Sequence, residues 1–214
     1  MAGEVKKRHK EIESAEKIYG KTHILHAHYP FKEGTTKDKK GKDVDRSSGV
    51  TIGYGIDLGK KDLSTWTALV ESLNISTEAQ TNLIDTFKGA LGLQGAAAVK
   101  WIEAQGFELK NGVPRTKATL ITQPVADALF EKAWENYEIQ AKEDYNTAYP
   151  TKEKQTEWDK IPSEVQDLLT SNAYLFGHLK LHKNLLKAVY NKDITAIKEW
   201  VPINSLYHKR ELSL

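Results

Sequence analysis

The chain has no cysteine among its 214 residues. It can therefore form no disulfide framework, and it offers no thiol nucleophile or thiolate metal ligand. No apolar run approaches the roughly 18 residues that a membrane helix needs, so we expect no stable insertion into a membrane. The first ten residues are charged and have no apolar core, so we expect no secretory leader. Synthesis in the cytoplasm and export by a dedicated machine, or release by lysis, would follow.

The net charge is small for a chain of this length. The formal net charge is +2, with 28% charged and 39% hydrophobic residues, which is typical of a globular protein with a substantial core. No basic stripe is interleaved with aromatic residues, so nucleic acid is not an expected partner. Length alone allows one large domain or two small ones.

Residues 48–59 form a glycine-rich segment around a short β-branched run. The sequence there is Ser-Gly-Val-Thr-Ile-Gly-Tyr-Gly-Ile-Asp-Leu-Gly, which is typical of a small, sharply twisted hairpin. Thr51 and Asp57 stand six residues apart, and a tight turn between them would point both side chains at one cleft. An ordinary hairpin with Asp57 as a turn residue or helix cap explains the same spacing.

This segment resembles the active-site hairpin of muramidases of the phage-lysozyme and pesticin type, including the lysozyme-like domains of type VI secretion effectors. The resemblance implies that Thr51 and Asp57 are the catalytic threonine and aspartate, and that Tyr54 and His26 bind substrate. It also implies cleavage of the link between N-acetylmuramic acid and N-acetylglucosamine in peptidoglycan.

A second match lies at residues 21–30, which read Lys-Thr-His-Ile-Leu-His-Ala-His-Tyr-Pro. Four residues keep the family register without a gap, at positions 25, 26, 27 and 30. In that register Lys21 occupies the position of the family's general-acid glutamate. A lysine, with an ordinary pKa near 10.4, is a poor proton donor at neutral pH. Glu16 and Glu33 are the nearest alternative acids in the sequence, and Lys21 is expected to pair with Asp57 across the cleft.

Looser matches over residues 161–193 and 209–214 extend the resemblance towards the end of the chain. We therefore predict a single lysozyme-like domain over residues 1–214, of the mostly helical α+β class. Its hairpin region covers about residues 31–59, and its helical bulk about residues 60–214.

Helix signals follow the hairpin. Ser64 and Ser76 are predicted helix caps, Asn111-Gly112 predicts a small second hairpin, and the longest helix is predicted from Thr122 to about Tyr145. A first helix is predicted from Glu4 to Tyr19.

Three histidines, His23, His26 and His28, fall within six residues and raise the question of a metal site. At most two of them would share a strand face, and no carboxylate stands at a ligand-like spacing beside them. We therefore predict no metal and no cofactor.

Two functions from different classes remain open at this point. The first is a muramidase that acts in the periplasm or cell wall of a bacterium, as an antibacterial effector or a phage endolysin, and that is inactivated here by Lys21. An effector would have a cognate immunity protein as its partner, and we expect the chain to be a monomer. The second is a catalytically dead lysozyme fold that binds glycan or another protein.

Overall fold

The computed structural model describes residues 4–13, 20, 22–30, 48–148, 157–176, 179, 183–193 and 195–197. Helices dominate these residues, together with two small antiparallel hairpins. The predicted mostly helical α+β class is confirmed. The chain divides into two compact units, Glu13–Lys132 and a second unit made of Met1–Ile12 and Ala133–Leu214. The assignment of residues 1–214 to a single domain stays a prediction.

The described residues form seven α-helices and four strands. The helices are α1 (Glu4–Glu13), α2 (Leu63–Glu71), α3 (Thr77–Phe87), α4 (Ala96–Ala104), α5 (Gln123–Ala148), α6 (Ser163–Phe176) and α7 (Lys183–Tyr190). The strands are β1 (Thr51–Ile52), β2 (Ile56–Asp57), β3 (Phe107–Lys110) and β4 (Val113–Thr116), with short 3-10 helices at His23–Leu25, Leu58–Lys60, Lys88–Ala90 and Trp158–Lys160. None of the described helices combines the length and apolar character that crossing a bilayer requires.

In the unit Glu13–Lys132, residues 27–29 lie between the two hairpins. His28 exchanges both backbone hydrogen bonds with Thr51 of β1, at 2.9 and 2.8 Å. On the other side, the Tyr29 amide donates to Pro114 and the Thr116 amide donates to Ala27, both at 2.9 Å. The segment of the second sequence match therefore joins the predicted active-site hairpin to the hairpin β3–β4.

Of the two serines predicted to cap helices, one is confirmed and one is corrected. The hydroxyl of Ser76 accepts the Ala79 amide at 3.2 Å and caps α3 as predicted. The cap of α2 is Asp62, which accepts the Thr65 amide at 2.7 Å, and Ser64 instead donates its hydroxyl to Asp62. A carboxylate two residues upstream is the stronger acceptor for the amides of the first turn, so the serine prediction was wrong.

The second unit buries a cluster between α5, α6 and α7, and its members include Tyr145, Trp158, Leu169 and Leu185. α1 packs in the same unit through His9, whose Nδ1 lies 2.9 Å from the Ser171 hydroxyl. The predicted first helix is confirmed to Glu13, and residues 14–19 of that prediction lie outside the described residues.

Candidate active site

Thr51 and Asp57 are directly opposite each other across the hairpin β1–β2. Side chains of a directly opposed antiparallel pair project from the same face of the sheet, with Cβ atoms about 4.5–5.5 Å apart. The turn between them contains Gly53 and Gly55, whose φ angles are +56° and +91°. Only glycine adopts such angles without strain, so the glycines allow the reversal that brings the two residues together.

Two backbone amides orient the carboxylate of Asp57. Its Oδ1 accepts the Gly49 amide at 2.9 Å and the Gly59 amide at 2.8 Å. Asp57 is half-buried, and its Oδ2 accepts no hydrogen bond from any residue that the structure describes. Because charge-assisted bonds to rigid backbone restrict side-chain rotation, one carboxylate oxygen is held while the other remains available.

The hydroxyl of Thr51 lies beside this carboxylate. The side chain is buried, and its Oγ1 donates a long bond of 3.4 Å to the carbonyl of Gly49. A hydroxyl carries one donor and two acceptor lone pairs, so Oγ1 retains the capacity to accept a hydrogen bond from a water molecule. The arrangement suits a water held between Thr51 and Asp57.

Lys61 is a site residue that sequence reasoning missed. Burial lowers the pKa of this half-buried lysine, while the negative charge of Asp57 acts in the opposite direction. The Lys61 amide also closes the 3-10 helix that Asp57 begins, by donating to the Leu58 carbonyl at 3.2 Å. The only available sequence signal was its position four residues after Asp57.

Gly49 and Gly59 cross at very short range at the base of the hairpin. A Cβ built on Gly49 would lie 2.3 Å from the Gly59 Cα and 2.6 Å from the Leu93 carbonyl oxygen. A Cβ on Gly59 would lie 2.6 Å from the Gly49 Cα. Because all of these neighbours are backbone atoms, no side-chain rotation relieves the overlap.

We expect Gly49→Ala to lower the free energy of unfolding by about 2–3 kcal/mol, since the backbone must shift to admit the methyl group. Urea denaturation of the whole chain measures the effect. The control is Gly92→Ala in the neighbouring loop, where a Cβ meets nothing within 4 Å and only the strain of a φ of +71° applies, about 1 kcal/mol. Equal losses in the two variants would contradict the close approach.

The predicted substrate-binding residue His26 is buried, and its Nδ1 lies 2.7 Å from the Thr116 carbonyl oxygen. Tyr54, the other such prediction, lies in the hairpin turn, also buried. Its hydroxyl donates to Asp127 at 3.0 Å and accepts from Gln123 at 2.9 Å. Both residues thus have structural contacts, and their roles towards substrate stay predictions.

Around His26 lies a buried cluster with His23, His28 and Arg115. The rings of His23 and His28 are 4.2 Å apart between centroids. Arg115, opposite His28 on β4, binds Glu108 through Nε and Nη2, each at 2.6 Å. Burial first, then the neighbouring histidine and Arg115 charges, lower the pKa of His23 to about 2. Burial also lowers the pKa of His28 to about 4, against a raising bond to the His26 carbonyl.

These shifts predict an acid-labile fold. Both histidines are neutral when folded, and they take up protons near pH 6.5 when unfolded, so stability is full above pH 6.5 and falls below it. From pH 7.5 to pH 5, His28 alone should cost about 2 kcal/mol. Urea denaturation at the two pH values should show a smaller loss for His28→Gln, or for His23→Gln, than for the unchanged chain. Equal losses would contradict the prediction.

Three predicted acid-site residues, Lys21, Glu16 and Glu33, lie outside the described residues. The predicted pairing of Lys21 with Asp57 therefore stays a prediction. Within the part of the chain that the structure describes, no group of three or more His, Asp or Glu side chains is placed to hold a metal ion.

Comparison with known proteins gives a family match, and it includes both hairpins. A family model described as "Pesticin: Bacterial toxin homologue of phage lysozyme, C-term" matches residues 22–195. No curated protein matches the chain. The family match covers both hairpins, Thr51, Asp57 and most of the helices, which is well over half of the sequence. The chain therefore belongs to the pesticin family of phage-lysozyme homologues.

Proposed function

We propose that this chain is a peptidoglycan muramidase in which Asp57 and Thr51 act on the link between N-acetylmuramic acid and N-acetylglucosamine. The observation that carries the proposal is the direct pairing of Thr51 with Asp57 across β1–β2 in a member of the pesticin family. A hydroxyl and a carboxylate on one sheet face suit the activation of a water molecule.

In the proposed reaction, a general acid protonates the glycosidic oxygen as its bond to the anomeric carbon breaks. Water adds to that carbon and gives its proton to Oδ2 of Asp57, while Thr51 orients the water. The negative charge of Asp57 also stabilises the positive charge that develops on the sugar ring. The amides of Gly49 and Gly59 support this role because they orient the carboxylate before substrate arrives.

The chain departs from the family pattern at the position of the general acid. Lys21 stands where the family's glutamate is expected, so the chain as written is proposed to be inactive or nearly inactive. The same substitution supports a second candidate function, a lysozyme fold that binds glycan or protein without cleaving it.

The setting proposed for the enzyme follows from its substrate. Peptidoglycan lies outside the cytoplasmic membrane, so the protein would act in the periplasm or cell wall of a target or host bacterium. An antibacterial effector or a phage endolysin fits that setting, and an effector would be neutralised by a cognate immunity protein. The family description names a bacterial toxin, which supports the role of an antibacterial effector.

Product analysis on purified peptidoglycan tests the proposed function. The chain and its Lys21→Glu variant are incubated with the polymer, and the reducing-end sugar of the soluble fragments is identified by mass spectrometry. Fragments that end in N-acetylmuramic acid from the variant support a muramidase, and fragments that end in N-acetylglucosamine contradict it. If a folded variant releases nothing yet sediments with peptidoglycan, the binding function replaces the enzymatic one.

A further inference from the structure

The loop that precedes α4 contacts the base of the active-site hairpin. Gly49 pairs with Gln94 in an antiparallel bridge, and the amide of Gly95 donates to the carbonyl of Ser48 at 3.1 Å. The Gly92 amide donates to the Leu58 carbonyl, also at 3.1 Å. This loop is thus bonded to the chain on both sides of the hairpin, before β1 and after β2.

Within this loop, Gln94 contacts the chain both before β1 and after β2. Its backbone pairs with Gly49, and its side-chain Nε2 donates to the carbonyl oxygen of Gly59 at 2.8 Å. Gly49 and Gly59 are the two residues whose amides bind Oδ1 of Asp57. One glutamine therefore contacts both residues whose amides donate to the carboxylate, while its own side-chain amide donates to Gly59.

We propose that Gln94 is a positioning residue for Asp57, which rests on the proposed function of that carboxylate. By holding Gly49 and Gly59 at a fixed separation, Gln94 keeps both amides aimed at Oδ1. The carboxylate plane is then fixed, and Oδ2 is the oxygen that faces the reacting water. A small rotation of a catalytic group lowers the rate far more than it lowers stability, so the effect of Gln94 belongs to the chemical step.

Gln80 provides a matched control in the same unit. Its Nε2 donates to the carbonyls of Glu71 and Leu73, at 3.2 and 3.1 Å. The contact is of the same kind, a glutamine amide on backbone carbonyls, but neither carbonyl belongs to Gly49 or Gly59, the residues that donate to Asp57. Gln94→Met and Gln80→Met both remove the donor and keep a side chain of similar length. If Gln94→Met does not fold, Gln94→Glu keeps the size and replaces the donor with an acceptor.

The first measurement is independent of hydrolysis. Amide proton shifts and hydrogen exchange of Gly49 and Gly59 are recorded by NMR in the whole chain and in both methionine variants. We expect Gln94→Met to move both amide signals and to speed their exchange by about tenfold or more, because the bonds to Asp57 loosen. Gln80→Met should leave these two signals in place. If the two glycine signals are the same in Gln94→Met and Gln80→Met, the proposal is overturned.

The second measurement uses the Lys21→Glu protein on peptidoglycan. Gln94→Met should lower kcat about tenfold while KM stays within about twofold, whereas Gln80→Met should change neither. An unchanged kcat in Gln94→Met would also overturn the proposal. If the Gly49 and Gly59 signals move but no Lys21→Glu protein cleaves the polymer, the proposed function fails, and the role of Gln94 in orienting the carboxylate is supported.

Discussion

Asp57→Asn should lower peptidoglycan hydrolysis by about a hundredfold or more in the Lys21→Glu protein and leave the fold intact. The amide oxygen of asparagine can take the place of Oδ1 and accept the amides of Gly49 and Gly59, so the contacts at the base of the hairpin are kept. The amide nitrogen then replaces Oδ2. It carries no negative charge and cannot take a proton from water, so the chemical step loses both contributions of the carboxylate.

The control for this prediction is Asp62→Asn. Asp62 is also an aspartate that accepts a backbone amide at the start of a helix, but it is exposed and caps α2. Asp62→Asn should leave the rate within about twofold, since only the exposed capping contact changes. Thermal unfolding of both variants separates lost chemistry from lost structure. Near-normal turnover by a folded Asp57→Asn protein would show that another group acts on the water.

The second large effect is expected for Lys21→Glu, which should raise the rate of peptidoglycan hydrolysis. A general acid contributes about 10²–10⁴-fold to a hydrolysis rate, and a glutamate in an apolar cleft is the usual donor in glycosidases. We therefore expect the variant to cleave peptidoglycan at least about a hundredfold faster than the chain as written. Exported to the periplasm of a bacterium, it should also stop growth, whereas the same protein kept in the cytoplasm should not.

Lys21→Gln is the control, because it removes the positive charge without supplying an acid. It should remain as inactive as the lysine protein, so a gain shared by both variants would show that charge removal alone matters. If the chain with Lys21 is already fully active, the acid lies elsewhere, and Glu16→Gln and Glu33→Gln identify it. If Lys21→Glu folds and stays inert, the binding function is favoured.

Much of the candidate site could be predicted from the sequence, because the hairpin is a local structure. Thr51 and Asp57 are equally far from Tyr54 along the chain, and a turn centred on a residue between two glycines brings such a pair into register. The second hairpin could be predicted for the same reason, from the pair Asn111 and Gly112. Short-range geometry in these segments depends on a few backbone angles that residue type restricts strongly.

The parts that escaped prediction depend on residues far apart in the chain. Gln94 meets Gly59 across 35 positions, and His26 meets Thr116 across 90. No period or spacing encodes such contacts, since they form only when segments that are distant in the chain pack against each other.

By itself the sequence determined the family, the mostly helical class and the pairing of Thr51 with Asp57. These features depend on motifs, helix signals and glycine positions that act within a few residues of one another. Only the tertiary structure decided how the carboxylate is held. Gly49, Gly59 and the loop with Gln94 meet at the base of the hairpin, where neither glycine has room for a Cβ, and the amides of the two glycines converge on a single oxygen of Asp57. Backbone donors are present at almost every residue, so the sequence cannot indicate which two will bind the carboxylate until the chain is packed.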